Sequence, residues 1–227
     1  MLFQLKNDLK KQANPEKAKI YQNFFKTGPG QYGEGDTFLG LTVPNTRKIA
    51  IKYSSLKLKD IEILLNSRSH EERLAALLIL VQQFKNNQKE IYNFYLKNSK
   101  KVNNWDLVDL TADKIVGPYL INKSKNILYK LAKSKNLWQR RIAIISTFHF
   151  IKNNQFEDTL KISELLLDDK HDLIHKAVGW MLRELGKKDQ KTLELFLKKH
   201  HKKMSRTTLR YSIEKFPEDK RKLYLIR

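Results

Sequence analysis

Along most of the chain, apolar residues recur at the three- and four-residue spacing of an amphipathic helix. The pattern predicts helices over residues 2–12, 16–25, 58–65, 71–84, 89–96 and 102–113. It continues over 126–133, 138–151, 157–167, 172–185, 190–199 and 205–213. A further helix starts at Val43-Pro44, where proline suits the first turn. The two-residue alternation of a strand is absent from the sequence. Breaks such as Asn86-Asn87, Ser134-Lys135-Asn136 and Asn153-Asn154 are short and polar, which makes consecutive helices antiparallel neighbours. A step of 34 residues links Ala75, Asp109, Ala143 and Ala177, each in similar surroundings. Paired antiparallel helices at that period predict an all-α, HEAT-like α-solenoid with a concave basic face, forming one domain over 1–227. The fixed Trp, Gly and Tyr positions of the TPR repeat are missing, which favours the HEAT-like form.

The same repeat shows a departure. Three units place a small alanine at the packing position, and one places Asp109. A charge at such a position needs compensation or a use. Trp105 stands four residues before it, on the same helical face. An aromatic ring beside a carboxylate is suited to holding a cation. Trp180 follows Gly179 inside a predicted helix. A glycine there costs roughly 1 kcal/mol against alanine and implies close approach by something. Trp138, which opens its helix, is expected to be structural.

Charge narrows the partner. Lys and Arg number 45 against 24 acids, a net charge of +21, which favours a polyanion and duplex DNA first. A basic bias throughout a lysine-rich sequence is the bland alternative. From Met181 onward there are 15 basic residues against 6 acids, densest over 198–203, a helix end that can add salt-sensitive attraction to DNA. Arg47 and Lys48 near a helix start are either a phosphate contact or an exposed basic turn.

Other chemistries are thinned out by what the sequence holds. With no cysteine, disulfides, thiolate metal sites and a cysteine nucleophile are excluded. His171 and His175 have the i,i+4 spacing of a metal pair without a third ligand, so no metal is expected. Gly28-Pro29-Gly30-Gln31-Tyr32-Gly33 spells the dinucleotide fingerprint, but a helix precedes it and an acidic turn follows, so no dinucleotide cofactor is expected. The glycine-rich segment 28–40 that contains it, with five of the eight glycines, is instead expected to be a mobile loop presenting Tyr32. The amphipathic, charged opening predicts no leader and no membrane span, hence a cytoplasmic protein.

Four stretches together resemble the AlkD family of DNA glycosylases. They are Asn104-Trp105-Asp106-Leu107-Val108-Asp109, Trp138-Gln139-Arg140-Arg141-Ile142-Ala143, His175 through Glu184, and Leu209-Arg210-Tyr211-Ser212-Ile213-Glu214. Phe25 through Gly40 is similar to bacterial DNA alkylation repair proteins, so the resemblance spans nearly the whole chain. It implies a helical solenoid cradling duplex DNA, with Trp105, Asp109 and Trp180 as the active-site trio and Arg141 at the DNA backbone. It places Arg47, Arg183 and Lys187 as further backbone contacts, and Tyr32 as the candidate for a family tyrosine. The implied reaction is hydrolysis of the N-glycosidic bond of 7-alkylguanine or 3-alkyladenine with the lesion kept stacked. No lysine stands out as a lyase residue, so a monofunctional enzyme is expected, without a cofactor and as a monomer. Two alternatives stand beside it: a non-catalytic binder of branched or damaged DNA, and a protein-binding scaffold, which would have an apolar or mixed-charge concave face.

Overall fold

The computed structural model describes residues 1–226. Among these residues the regular elements are helices, apart from an isolated backbone bridge between Thr37 and Ser69. The chain forms two compact units, Met1–Thr111 and the residues from Ala112 onward.

The first unit holds α1 (Leu2–Lys11), α2 (Pro15–Phe24), α3 (Val43–Lys52), α4 (Leu58–Leu65), α5 (His70–Gln83), α6 (Gln88–Lys97) and α7 (Trp105–Asp109). Local chemistry sets several starts. The Asn14 side chain accepts from the Lys17 amide at 2.9 Å and Pro15 follows it, so α2 begins there. Helix α5 is the spine, packed against α1, α3, α4, α6 and α7. Leu74, Ala75, Ala76, Leu77, Ile79 and Leu80 are all buried, so the middle of the helix is apolar around its whole girth. Gly40 has a φ of +88° and lies against the Asn14 carbonyl, where a side chain would collide.

Residues 102–113 do not form one helix. Helix α7 has five residues and stops at Asp109. The Thr111 amide bonds back to Val108 at 3.1 Å, and its hydroxyl donates to the Leu107 carbonyl at 2.5 Å. Those i−3 and side-chain bonds tighten and close the turn. The apolar period runs on unbroken across it because both flanking segments bury apolar residues.

The second unit holds α8 (Ala112–Leu120), α9 (Asn126–Ala132), α10 (Leu137–Lys152), α11 (Glu157–Leu165), α12 (Asp172–Lys188), α13 (Gln190–His200), α14 (Arg206–Ser212) and α15 (Glu218–Leu225). Helices α8, α10, α12 and α14 lie side by side, and α9, α11 and α13 pack on them in alternation. This is the two-layer arrangement of a helical repeat. Gly179 accounts for the closeness of α12 and α14: a Cβ there would stand 2.5 Å from the Tyr211 Cβ and 2.7 Å from the Thr208 carbonyl oxygen. Ala143 and Ala177, like Ala75 in the first unit, are fully buried. Two helices lack a clear sequence signal. Helix α8 contains Gly117 and Pro118, both helix breakers, and α15 buries no residue.

Candidate active site

Helix α7 is too short to persist by its own hydrogen bonds, so its neighbours must hold it. Its first residue is capped by the Asn104 side chain, which accepts from the Trp105 amide at 2.8 Å. Trp105 and Asp109, one turn apart, both line a cavity of about 320 Å³. Tyr21, Phe24, Phe25 and Phe38 form much of the rest of its wall. Phe25 stacks on Trp105 with centroids 5.3 Å apart and planes at 14°, and on Phe38 at 4.9 Å and 20°. Phe24 meets Trp105 edge-on at 5.9 Å. The indole is thus fixed by rings from α2 and the segment that follows it. Asp109 is half-exposed, while the alanines at its repeat positions are fully buried. The acid that replaces alanine opens onto the cavity.

Behind the cavity lies a buried charged cluster that helix periodicity does not reveal. Helix α5 opens with His70, Glu71, Glu72 and Arg73, exposed by 2, 1, 6 and 3 %. Each reaches a different part of the unit. His70 Nε2 is 2.8 Å from Asp106 Oδ2, and its Nδ1 is 3.6 Å from Asp36 Oδ2. Arg73 donates to Asp36 at 2.5 Å and to the Ser67 carbonyl at 2.7 Å. Glu71 accepts from the backbone amides of Leu39, Gly40 and Leu41 at 2.9, 2.8 and 3.2 Å. Glu72 pairs with Lys6 of α1 at 2.8 Å. Backbone bonds add to these, from Thr37 N–H to the Arg68 carbonyl and from His70 N–H to the Thr37 carbonyl. The glycine-rich segment, expected as a mobile loop, is therefore fastened to the start of α5. Burial works against a charged His70 ring, but Asp106 and then Asp36 outweigh it and push its pKa up to about 9.

The sequence profile of the DNA alkylation repair enzyme family matches residues 5–216. The chain belongs to that family. Its fold is similar to that of a predicted DNA alkylation repair enzyme from Enterococcus faecalis, with 20% identity, a TM-score of 0.76, and 91% of this chain and 98% of that one covered. AlkD2 from Streptococcus mutans is also similar, at 20% identity and a TM-score of 0.62 over 88% of this chain and 99% of that one. So is smu.31 from Streptococcus mutans UA159, at 22% identity and a TM-score of 0.59 over 92% and 100%. No curated protein matches the chain. Family membership gives it a role in the repair of alkylated DNA.

The remaining candidate residues of this DNA alkylation repair protein fall into distinct settings. Trp180, on α12 of the second unit, is half-buried with Phe148 at 5.8 Å. Arg141, expected at the DNA backbone, is 4 % exposed and its guanidinium donates to the Leu173 carbonyl, tying α10 to the start of α12. It is an interior cation because a backbone oxygen and helix packing enclose it. Arg183 pairs with Glu214 and sits 3.4 Å from Glu184, while Lys187 reaches Glu184 at 2.7 Å. A phosphate there would share these cations with acids. Arg47 on α3 is half-buried. Tyr32 is half-buried in the glycine-rich segment and does not line the cavity, whereas Tyr21 does. His171 caps α12, its Nδ1 accepting from the Leu173 amide at 3.1 Å. Trp138 is buried, as a structural residue should be. Among the described residues no group of three or more His, Cys, Asp or Glu could hold a metal ion, and no helix is long and apolar enough to cross a membrane.

Proposed function

We propose that this family member is a monofunctional DNA glycosylase, hydrolysing the N-glycosidic bond of cationic alkylated purines such as 7-alkylguanine and 3-alkyladenine in duplex DNA. The observation that carries the proposal is Asp109. It is the acid that replaces an otherwise buried alanine, and it shares an aromatic-walled cavity with Trp105.

The chemistry suits a carboxylate. Alkylation at N7 or N3 makes the base a cation and a good leaving group without a general acid. As the C1′–N9 bond breaks, its electron pair passes to the base, which departs neutral, and positive charge grows on the deoxyribose. A fixed carboxylate stabilises that charge. Water then adds to C1′ and gives up a proton, leaving an abasic site. Asp109 is the proposed catalytic carboxylate. Trp105 presents an aromatic face to the cationic lesion or sugar, worth about 0.5–2 kcal/mol. Trp180 is proposed as the second such face, on the strength of the family-like sequence around it. The net charge of +21 supports DNA binding, with Arg47, Arg183 and Lys187 as proposed backbone contacts. No metal or cofactor takes part in this scheme.

The test is excision of 7-methylguanine from a defined duplex, read as strand breaks after heating in alkali. The wild type is expected to excise. Asp109→Asn is expected to lose on the order of 100- to 1000-fold in rate while keeping its DNA affinity. Normal excision by Asp109→Asn would remove Asp109 from the mechanism. No excision by either protein, with tight binding retained, would make this chain a non-catalytic binder of damaged or branched DNA.

A further inference from the structure

The glycine-rich segment and the buried start of α5 have no assigned part in the reaction, yet both lead to α7. We propose that His70 is a positioning residue: as an imidazolium between Asp36 and Asp106 it locks the glycine-rich segment to α7 and so sets the orientation of Trp105 and Asp109. The inference rests on the glycosylase reading above for its activity readout, and on geometry for its substance.

The geometry begins with α7. A five-residue helix with one side-chain cap has little stability of its own, so tertiary bonds decide where it sits. Asp106 is 4 % exposed and lies between Trp105 and Asp109 in sequence. Its Oδ1 accepts from the Leu107 amide at 2.8 Å, and its Oδ2 meets His70 Nε2 at 2.8 Å. The other ring nitrogen of His70 is buried without a hydrogen-bond partner and lies 3.6 Å from the carboxylate of Asp36, an ion-pair distance. A buried imidazole with one carboxylate in hydrogen-bond contact and a second at ion-pair distance is favoured in its charged form, which alone carries a proton on each nitrogen. His70 also lies on Phe38, with centroids 4.6 Å apart and planes at 22°, and 4.9 Å from Phe25, the ring that stacks on Trp105. One side chain thus touches both supports of the Trp105–Asp109 pair: its helix and its aromatic backing.

Within the cluster two carboxylates face two cations, and a third is held by backbone amides. The glycine-rich segment contributes Asp36, α7 contributes Asp106, and α5 itself contributes Arg73 and Glu71. Phe25, from the end of α2, is uncharged. Glu71 is satisfied by three backbone amides, so the two aspartates face Arg73 and His70. Removing the proton from His70 would leave two buried carboxylates with one cation and loosen the segment from α7. Glu71 and the Thr37 backbone bonds would still hold the segment to α5, so the change falls on α7.

Two measurements separate this proposal from the glycosylase reading. In the wild type, ring-nitrogen NMR of the histidines and the indole N–H resonance of Trp105, assigned with Trp105→Phe, are followed from neutral to alkaline pH. His70 is expected to stay doubly protonated through neutral pH, and the Trp105 resonance to move as His70 loses its proton. A neutral His70 at pH 7, or a Trp105 signal indifferent to its titration, would overturn the proposal whether or not the protein excises bases. Second, His70→Gln keeps a donor for Asp106 and loses the charge that faces Asp36. It is expected to bind DNA as the wild type does, to lower single-turnover excision by up to about 100-fold, and to lack the alkaline loss of rate expected of the wild type. Equal rates and equal pH profiles would sink the positioning role and leave the glycosylase reading intact. A coupled Trp105 titration with no excision by any protein would do the reverse.

Discussion

At the scale of single residues, Asp109 and His70 show two ways of keeping a charge inside a helical unit. Asp109 is left half-buried in a cavity wall, where its charge can act on a bound group. His70 is enclosed and matched by carboxylates, and its charge acts on the fold. Stability should record the second case. The pKa of His70 is raised from its ordinary 6.5 to about 9, so the folded state holds the proton more tightly than the unfolded chain. That contribution is fully present below pH 6.5 and is lost as pH rises through about 9. Urea midpoints taken from near pH 6 to near pH 10 should therefore fall on the alkaline side, and fall less in His70→Gln. An unchanged midpoint across that range would mean that the imidazolium adds nothing to folding. Arg141 belongs here too. With its guanidinium enclosed and bonded to the Leu173 carbonyl, Arg141→Ala should first lower thermal stability, by about 1–3 kcal/mol. Loss of DNA affinity without loss of stability would instead favour the expected backbone contact.

At the scale of elements, the unit Met1–Thr111 depends on a helix that is too short to stand alone and the one after Ala112 on close helix pairs. Helix α7 is placed by its cap, by Asp106 and by the turn at Thr111. Its brevity has a consequence: Trp105 and Asp109 occupy its two ends, so small movements of α7 displace both. Helices α12 and α14 illustrate the opposite regime, with backbone nearly in contact at Gly179. Gly179→Ala would gain roughly 1 kcal/mol in helix propensity and lose more to overpacking, about 1–3 kcal/mol. A net fall in melting temperature is expected, and an increase would show that α14 moves aside at little cost.

At the scale of the whole molecule, the excess of 45 basic over 24 acidic residues is the dominant property. Affinity for duplex DNA should fall steeply with salt, the slope counting phosphates engaged at about 0.9 each. Lys198, Lys202 and Lys203 are exposed near the end of α13. Replacing all three with alanine should flatten the slope by up to about 3 if they touch DNA, and leave it unchanged if they form only a solvated helix end. The proposed chemistry needs no bound ion, so excision should proceed undiminished in excess chelator.

Much of this protein was legible before its structure. Helix period and polar breaks determine the all-α class and most element positions, because the signal is local and repeats every turn. The one-turn spacing of Trp105 and Asp109, the acid at an alanine position of the repeat, and a helix glycine at Gly179 are local signals of the same kind. Only tertiary structure decided the rest. The break between α7 and α8 is hidden because apolar residues continue through it. Tyr21, not Tyr32, reaches the cavity, since that depends on how the end of α2 brings its rings against Trp105 and His70. The run His70-Glu71-Glu72-Arg73 reads as an ordinary charged helix start, yet all four residues are buried. Its partners are distant: His70 and Asp106 lie 36 residues apart, and Arg73 and Asp36 lie 37 apart. A charge shows in a sequence, but whether it is solvated or enclosed depends on what the folded chain brings against it.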